Sequence, residues 1–110
     1  MEITGKENNM YIDSHQHFWK ISRGDYSWMS SEYKPLYRDF DSSDLFPLIN
    51  KKNITQTIIV QAADTIAETE FILDIANKNS FVSGVVGWVD FENSDVVKHI
   101  DKLIENKYLK

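Results

Sequence analysis

Two histidines one residue apart, His15 and His17, stand in the stretch Tyr11-Ile12-Asp13-Ser14-His15-Gln16-His17-Phe18-Trp19. The stretch reads as a short strand, on which alternate side chains share a face. His15 and His17 then lie in one row with Asp13, while Ile12, Ser14 and Gln16 line the other face. Two imidazoles on one face at a strand end can chelate a divalent metal, and either can handle a proton near neutral pH. A structural, hydrogen-bonded pair has the same spacing, and a zinc site normally takes a third protein ligand. The chain has one other histidine, His99, and no cysteine, so the pair draws its meaning from its setting.

The 110 residues suffice for one small domain with a core. An apolar content of 42% and an aromatic content of 13% suit a packed globular chain. The net charge of -5 argues against a nucleic-acid or anionic-membrane partner. Without cysteine there is no disulfide framework, and a reducing compartment such as the cytoplasm is expected. No apolar run reaches the roughly 20 residues that cross a bilayer. Residues 1–9 are polar and read as a tail, with Met10 an alternative start directly before the strand. Residues 10–110 read as the domain.

The elements that must position the histidines follow in order. A connector over residues 20–41 carries Asp25, Trp28, Tyr33, Tyr37 and Phe40. A loop of that length is usually functional, and its rings suit either a lid over an organic ligand or packing onto the body. Asp41-Ser42-Ser43 offers caps for a helix over residues 44–52, with Pro47 in its first turn if Ser43 is the cap. Asn53 is suited to the left-handed stop. Thr57-Ile58-Ile59-Val60-Gln61 reads as a strand buried on both faces, as in a helix-covered parallel sheet. Thr65-Ile66-Ala67-Glu68 has capping-box spacing, in which the glutamate reaches back, ahead of a helix to Lys78.

Residues 82–90 read as a third strand, where Gly84 and Gly87 allow close approach or a bend. Ser94-Asp95 starts a last helix with Val96, Val97, Ile100, Leu103, Ile104 and Tyr108 at helical spacing, and His99 beside that stripe reads as a boundary residue. Strand and helix thus alternate three times, which predicts a parallel α/β sheet with right-handed crossovers. Ligands gather at the C-terminal ends of such strands. His15, His17, Gln61, Asp64, Trp88 and Asp90 all fall there. No glycine-rich phosphate loop follows any strand, so a nucleotide site has little support.

Taken in series, Ile12-Asp13-Ser14-His15-Gln16-His17-Phe18-Trp19, Gly24-Asp25-Tyr26-Ser27-Trp28-Met29, Arg38-Asp39-Phe40, Gln56-Thr57-Ile58-Ile59-Val60-Gln61-Ala62-Ala63, Ala67-Glu68-Thr69 and Gly84-Val85-Val86-Gly87-Trp88-Val89-Asp90 carry a likeness. Together they resemble the N-terminal part of the amidohydrolase-related family, in the branch of sugar lactonases of L-fuconolactonase and L-rhamnonolactonase type. The resemblance implies the first three β/α units of a TIM (β/α)8 barrel, incomplete in this chain. It implies hydrolysis of a sugar lactone, a cyclic ester. His15 and His17 map to the first-strand pair that holds a divalent metal, zinc first among the choices. Asp25, Trp28, Gln61 and Trp88 would line the substrate pocket. The family's remaining histidines and catalytic aspartate lie on later strands, so no position here matches the general base. The 110 residues are therefore expected to be inactive alone, and to self-associate or require a complementing C-terminal chain. Two further readings stay open: a non-catalytic binding or assembly module, and a carbon–nitrogen hydrolase or decarboxylase of the same superfamily.

Overall fold

A computed structural model describes residues 11–110, so the expected tail and the choice between Met1 and Met10 lie outside the described residues. Three strands, β1 (Tyr11–Gln16), β2 (Ile54–Val60) and β3 (Val82–Val86), form one parallel sheet in the order β1-β2-β3. Helices α1 (Ser42–Lys51), α2 (Ile66–Lys78) and α3 (Val96–Leu103) follow the strands in turn. This is the α/β architecture expected from the alternation: an open, parallel three-stranded sheet with a helix after each strand.

Alternation along β2 divides the sheet into two faces. Thr57 and Ile59 are fully buried under the helices, whereas Ile54, Gln56, Ile58 and Val60 are only half-buried. The run read as buried on both faces is thus covered on one. On the covered side, Phe18, Ile49, Ile59, Ile72, Leu73, Ala76, Val82, Val85 and Leu103 make one core. Each large aliphatic side chain there contributes about 2 kcal/mol by leaving water. On the other side Ile12 is 60% and Val86 42% exposed.

The ends of the elements differ from expectation in instructive ways. Asp41, not Ser43, caps α1: its carboxylate accepts from Ser43 and Asp44 N–H, and Asp44 reaches back to Asp41 N–H. Pro47 consequently sits inside the helix and removes one N–H from its ladder. Ser43 and Pro47 are both exposed, so the freed carbonyl is open to water. Both β2 and β3 stop short of the expected Gln61 and Asp90. Tyr108 is not helical. The Tyr108 carbonyl accepts from Val85 N–H (2.7 Å) and Lys110 N–H donates to the Val85 carbonyl (2.9 Å), so Leu109 lies parallel beside β3.

Asn53 does take the left-handed conformation, with φ 58°. A side chain without a local polar group is disfavoured there by about 1 kcal/mol, and glycine is not. Urea denaturation should accordingly find Asn53→Ala less stable by about 1 kcal/mol and Asn53→Gly unchanged or slightly more stable.

Candidate functional site

His15 and His17 meet edge to face, with ring centroids 4.9 Å apart and planes at 74°. The His17 Nδ1 lies 2.9 Å from the Val60 carbonyl at the end of β2. A carbonyl only accepts, so Nδ1 carries a proton in this contact, and Nε2 is the ring nitrogen left for a ligand. Metal-binding imidazoles are commonly oriented by such a backbone carbonyl. A register shift between Asp13 and Gln16 breaks the expected row: Asp13 pairs with Thr57 and accepts from the His15 backbone N–H (3.2 Å), and Gln16 is buried while Ile12 is exposed. The donor chemistry therefore fits two of the ligands of a divalent metal. Among the described residues, no group of three or more His, Cys, Asp or Glu could hold an ion. His99 is half-buried on α3, in keeping with a boundary residue.

The connector is anchored by a buried ionic cluster. A 3-10 turn over Ile21–Arg23 ends at Gly24, whose φ of 76° suits a residue without Cβ. Arg23 then reaches Asp25 Oδ2 (2.6 Å) and Glu68 Oε1 (3.1 Å), while Thr65 donates its hydroxyl to Asp25 Oδ2. Tyr26 is buried and donates to Glu68 Oε1 (3.0 Å), while its own oxygen accepts from Lys20 N–H (3.1 Å). Glu68 Oε2 accepts from Ala62 N–H (2.7 Å) just beyond β2. The capping box is therefore half made. Thr65 caps the Glu68 N–H (3.0 Å), but the glutamate turns away from the helix into the cluster. Burial pushes the Glu68 carboxyl up from its ordinary value, against the Ala62, Tyr26 and Arg23 donors, with Asp25 adding to the rise. Burial likewise raises the Tyr26 phenol.

The aromatic part of the connector closes over the same strand ends. Trp28 donates its indole N–H to the Ala62 carbonyl (2.6 Å) and packs edge-on against Trp19 and Tyr26. Trp19 pairs its backbone with Phe40 and donates its indole N–H to the Arg38 carbonyl (2.8 Å). Tyr26 follows the packing alternative, whereas Trp28, Tyr33 and Tyr37 keep exposed surface.

Beyond β3, Thr69 holds both sides of one residue: its hydroxyl accepts from Trp88 N–H and donates to the Trp88 carbonyl, each at 2.8 Å. Gly87 makes this approach feasible, since a Cβ there would meet Thr69 Cγ2 at 2.5 Å.

Three of the expected pocket residues, Asp25, Trp28 and Gln61, converge on one cleft of about 290 Å³, together with Ser27 and Asp64. Trp88 lines a separate cleft of about 230 Å³, with Thr69, Val86 and Phe91. Asp25 is the most changed by its surroundings: Oδ2 is taken by Arg23 and Thr65, while the buried Oδ1 has no partner. Sequence reasoning missed Arg23, Tyr26, Glu68 and Thr69 as parts of the site. No signal local to α2 marks Glu68 and Thr69, since Glu70 directly after them is equally polar and stays exposed.

No family model matches the chain. It is 40% identical over 92 residues to the L-fucono-1,5-lactonase of Burkholderia ambifaria, a match covering 84% of this chain and 32% of that protein. Identity to the L-fucono-1,5-lactonase of Burkholderia multivorans is 35% over 89 residues, covering 81% and 30%. A solved amidohydrolase from Burkholderia multivorans with bound zinc superposes with a TM-score of 0.77 at 33% identity, over 86% of this chain and 33% of that one. Over most of its length the chain is thus similar to the N-terminal part of L-fucono-1,5-lactonases and of a solved amidohydrolase. It spans about a third of the length of the relatives it matches, their N-terminal part. Among the described residues, no helix is long and apolar enough to cross a membrane.

Two outcomes test this geometry. Gly87→Ala should lower stability by about 2 kcal/mol in urea denaturation, because the pinned Thr69 cannot rotate away without releasing Trp88. For Glu68, the folded chain holds the proton more tightly than the unfolded one. Its contribution is complete below the ordinary glutamate range and is lost as pH rises through the raised value. The stability difference between the native chain and Glu68→Gln, followed from about pH 4 to 7, should therefore shift against the native chain as pH rises.

Proposed function

We propose that the chain supplies the first-strand histidine pair and the substrate-facing connector of a sugar-lactone hydrolase. The observation that carries this reading is the His17 Nδ1–H bond to Val60, which engages Nδ1 in a ring whose centroid lies 4.9 Å from that of His15. The 40% identity to an L-fucono-1,5-lactonase supports the same chemistry. His15 and His17 would hold a divalent metal, zinc by the example of the neighbouring structure, with the remaining ligands coming from outside the described residues. Such a metal, when bound, supplies Lewis-acid polarisation of the lactone carbonyl.

The residues of the chain have their own tasks in this reading. Trp28 and Gln61 would flank the sugar ring, Asp25 would support them from the base of the loop, and Trp88 borders the separate cleft. The apolar rings exclude water from the carbonyl, which strengthens every electrostatic contact made to it. Ring opening also needs a general base to activate water.

A second reading, an assembly module without catalysis of its own, is favoured by the half-covered sheet face bearing Ile12 and Val86. The two combine in one expectation: the 110 residues bind a complementing polypeptide or a second copy, and work only when so completed. Assays with L-fucono-1,5-lactone should find the 110-residue chain no faster than spontaneous hydrolysis. Fused to the remaining two-thirds of a Burkholderia lactonase, it should turn over, and His17→Ala in the fusion should lower kcat/KM by about 100-fold or more. Enzyme-like rates from the 110 residues alone would overturn the need for completion. Full activity of the His17→Ala fusion would overturn the role of the pair.

A further inference from the structure

We propose that Glu68 and Thr69, adjacent on the first turn of α2, are positioning residues that set the exits of β2 and β3, and through them His17, Trp28 and Trp88. Both side chains are fully buried. A buried carboxyl or hydroxyl is costly unless hydrogen-bonded, and here every oxygen has a partner. What they hold is backbone directly beyond the two strands.

The exit of β2 is tied by consecutive residues. The Val60 carbonyl takes the His17 ring N–H, Gln61 N–H donates to the Val86 carbonyl, Ala62 N–H is held by Glu68 and the Ala62 carbonyl takes the Trp28 indole. Releasing Ala62 N–H frees its own peptide plane and the next one, whose carbonyl aims Trp28, and leaves the Val60–Gln61 plane, whose carbonyl aims His17, held by the Gln61 bond to Val86 alone. Thr69 does the equivalent at β3 by closing both polar groups of Trp88 on one hydroxyl. Service to the helix end alone does not account for the pair. Thr65 already caps α2, and neither side chain bonds to the helix's own first turn.

The significance of this arrangement rests on the site described under the proposed function, but its test does not need turnover. Failure of lactone hydrolysis and failure of the positioning role are therefore separately visible. Isotope-labelled 110-residue chain is followed by NMR, reading exchange of the Trp28 indole N–H, exchange of the Trp88 amide and the His17 ring-nitrogen shifts. Amides of Ile59 and Ile72 serve as core references. Glu68→Ala should speed Trp28 indole exchange about tenfold relative to the core and move the His17 shifts, leaving the Trp88 amide at its native ratio. Glu68→Gln, which keeps an acceptor for Ala62, should give a smaller rise of about threefold and carries the test if the alanine variant does not fold. Thr69→Val should do the reverse, speeding the Trp88 amide about tenfold with Trp28 and His17 unchanged, and Thr69→Ser should restore the native pattern. Loosening of all probes together, or no selective response in the variants that fold, would overturn the proposal.

Discussion

A carboxyl group with no exposure to water governs the architecture of this chain's site. Glu68 is enclosed where the connector, the β2 exit and α2 meet, and its burial is tolerable only while Tyr26, Arg23 and Ala62 supply donors. That requirement is mutual. Tyr26 enters the core because Glu68 takes its hydroxyl, and Arg23 lies across Tyr26 and Phe71 because two carboxylates draw its guanidinium inward. A connector of some twenty residues, with little regular structure, thereby acquires a fixed base.

From this base the site is assembled mostly through main-chain carbonyls and amides. His17, Trp19 and Trp28 each bond by a ring nitrogen to a carbonyl, those of Val60, Arg38 and Ala62. Trp88 is held by its own backbone. The Val60 carbonyl, at the end of β2, is a stiffer anchor than a side-chain tip, since it moves with the sheet. The arrangement suits a pocket in which large rings must keep their orientation against solvent, and it links the fold's interior directly to the cleft containing Asp25, Trp28 and Gln61.

Much of this was legible in the residues, and the reasons differ by feature. β-Branched runs, the Thr65 cap and the Asn53 stop are local signals, and local physics decided them. The strand-end position of His15 and His17 followed from alternation and chain order. What stayed hidden was relational. Glu68 looked like the return half of a capping box because nothing local revealed that a connector forty residues earlier would deliver Arg23 and Tyr26 to it. Asp41 overrode Ser43 as a cap because a reciprocal bond with Asp44 was available one turn further on. The apparent two-sided burial of β2 depended on what faces its inner side, which a strand's composition does not specify.

The parallel register of Leu109 beside β3 has a consequence for how such a chain grows. Sheet order follows chain order throughout: β1, β2, β3 and then Leu109. Every strand therefore docks onto one that has already been synthesised, and no pairing has to wait for a distant segment. As the polypeptide leaves the ribosome, each β/α unit can seat on its predecessor, so the sheet lengthens vectorially with modest loop-closure cost at every step. The growing margin is at each moment a template for the next strand. That makes the order of emergence, as much as final stability, a safeguard against mispairing.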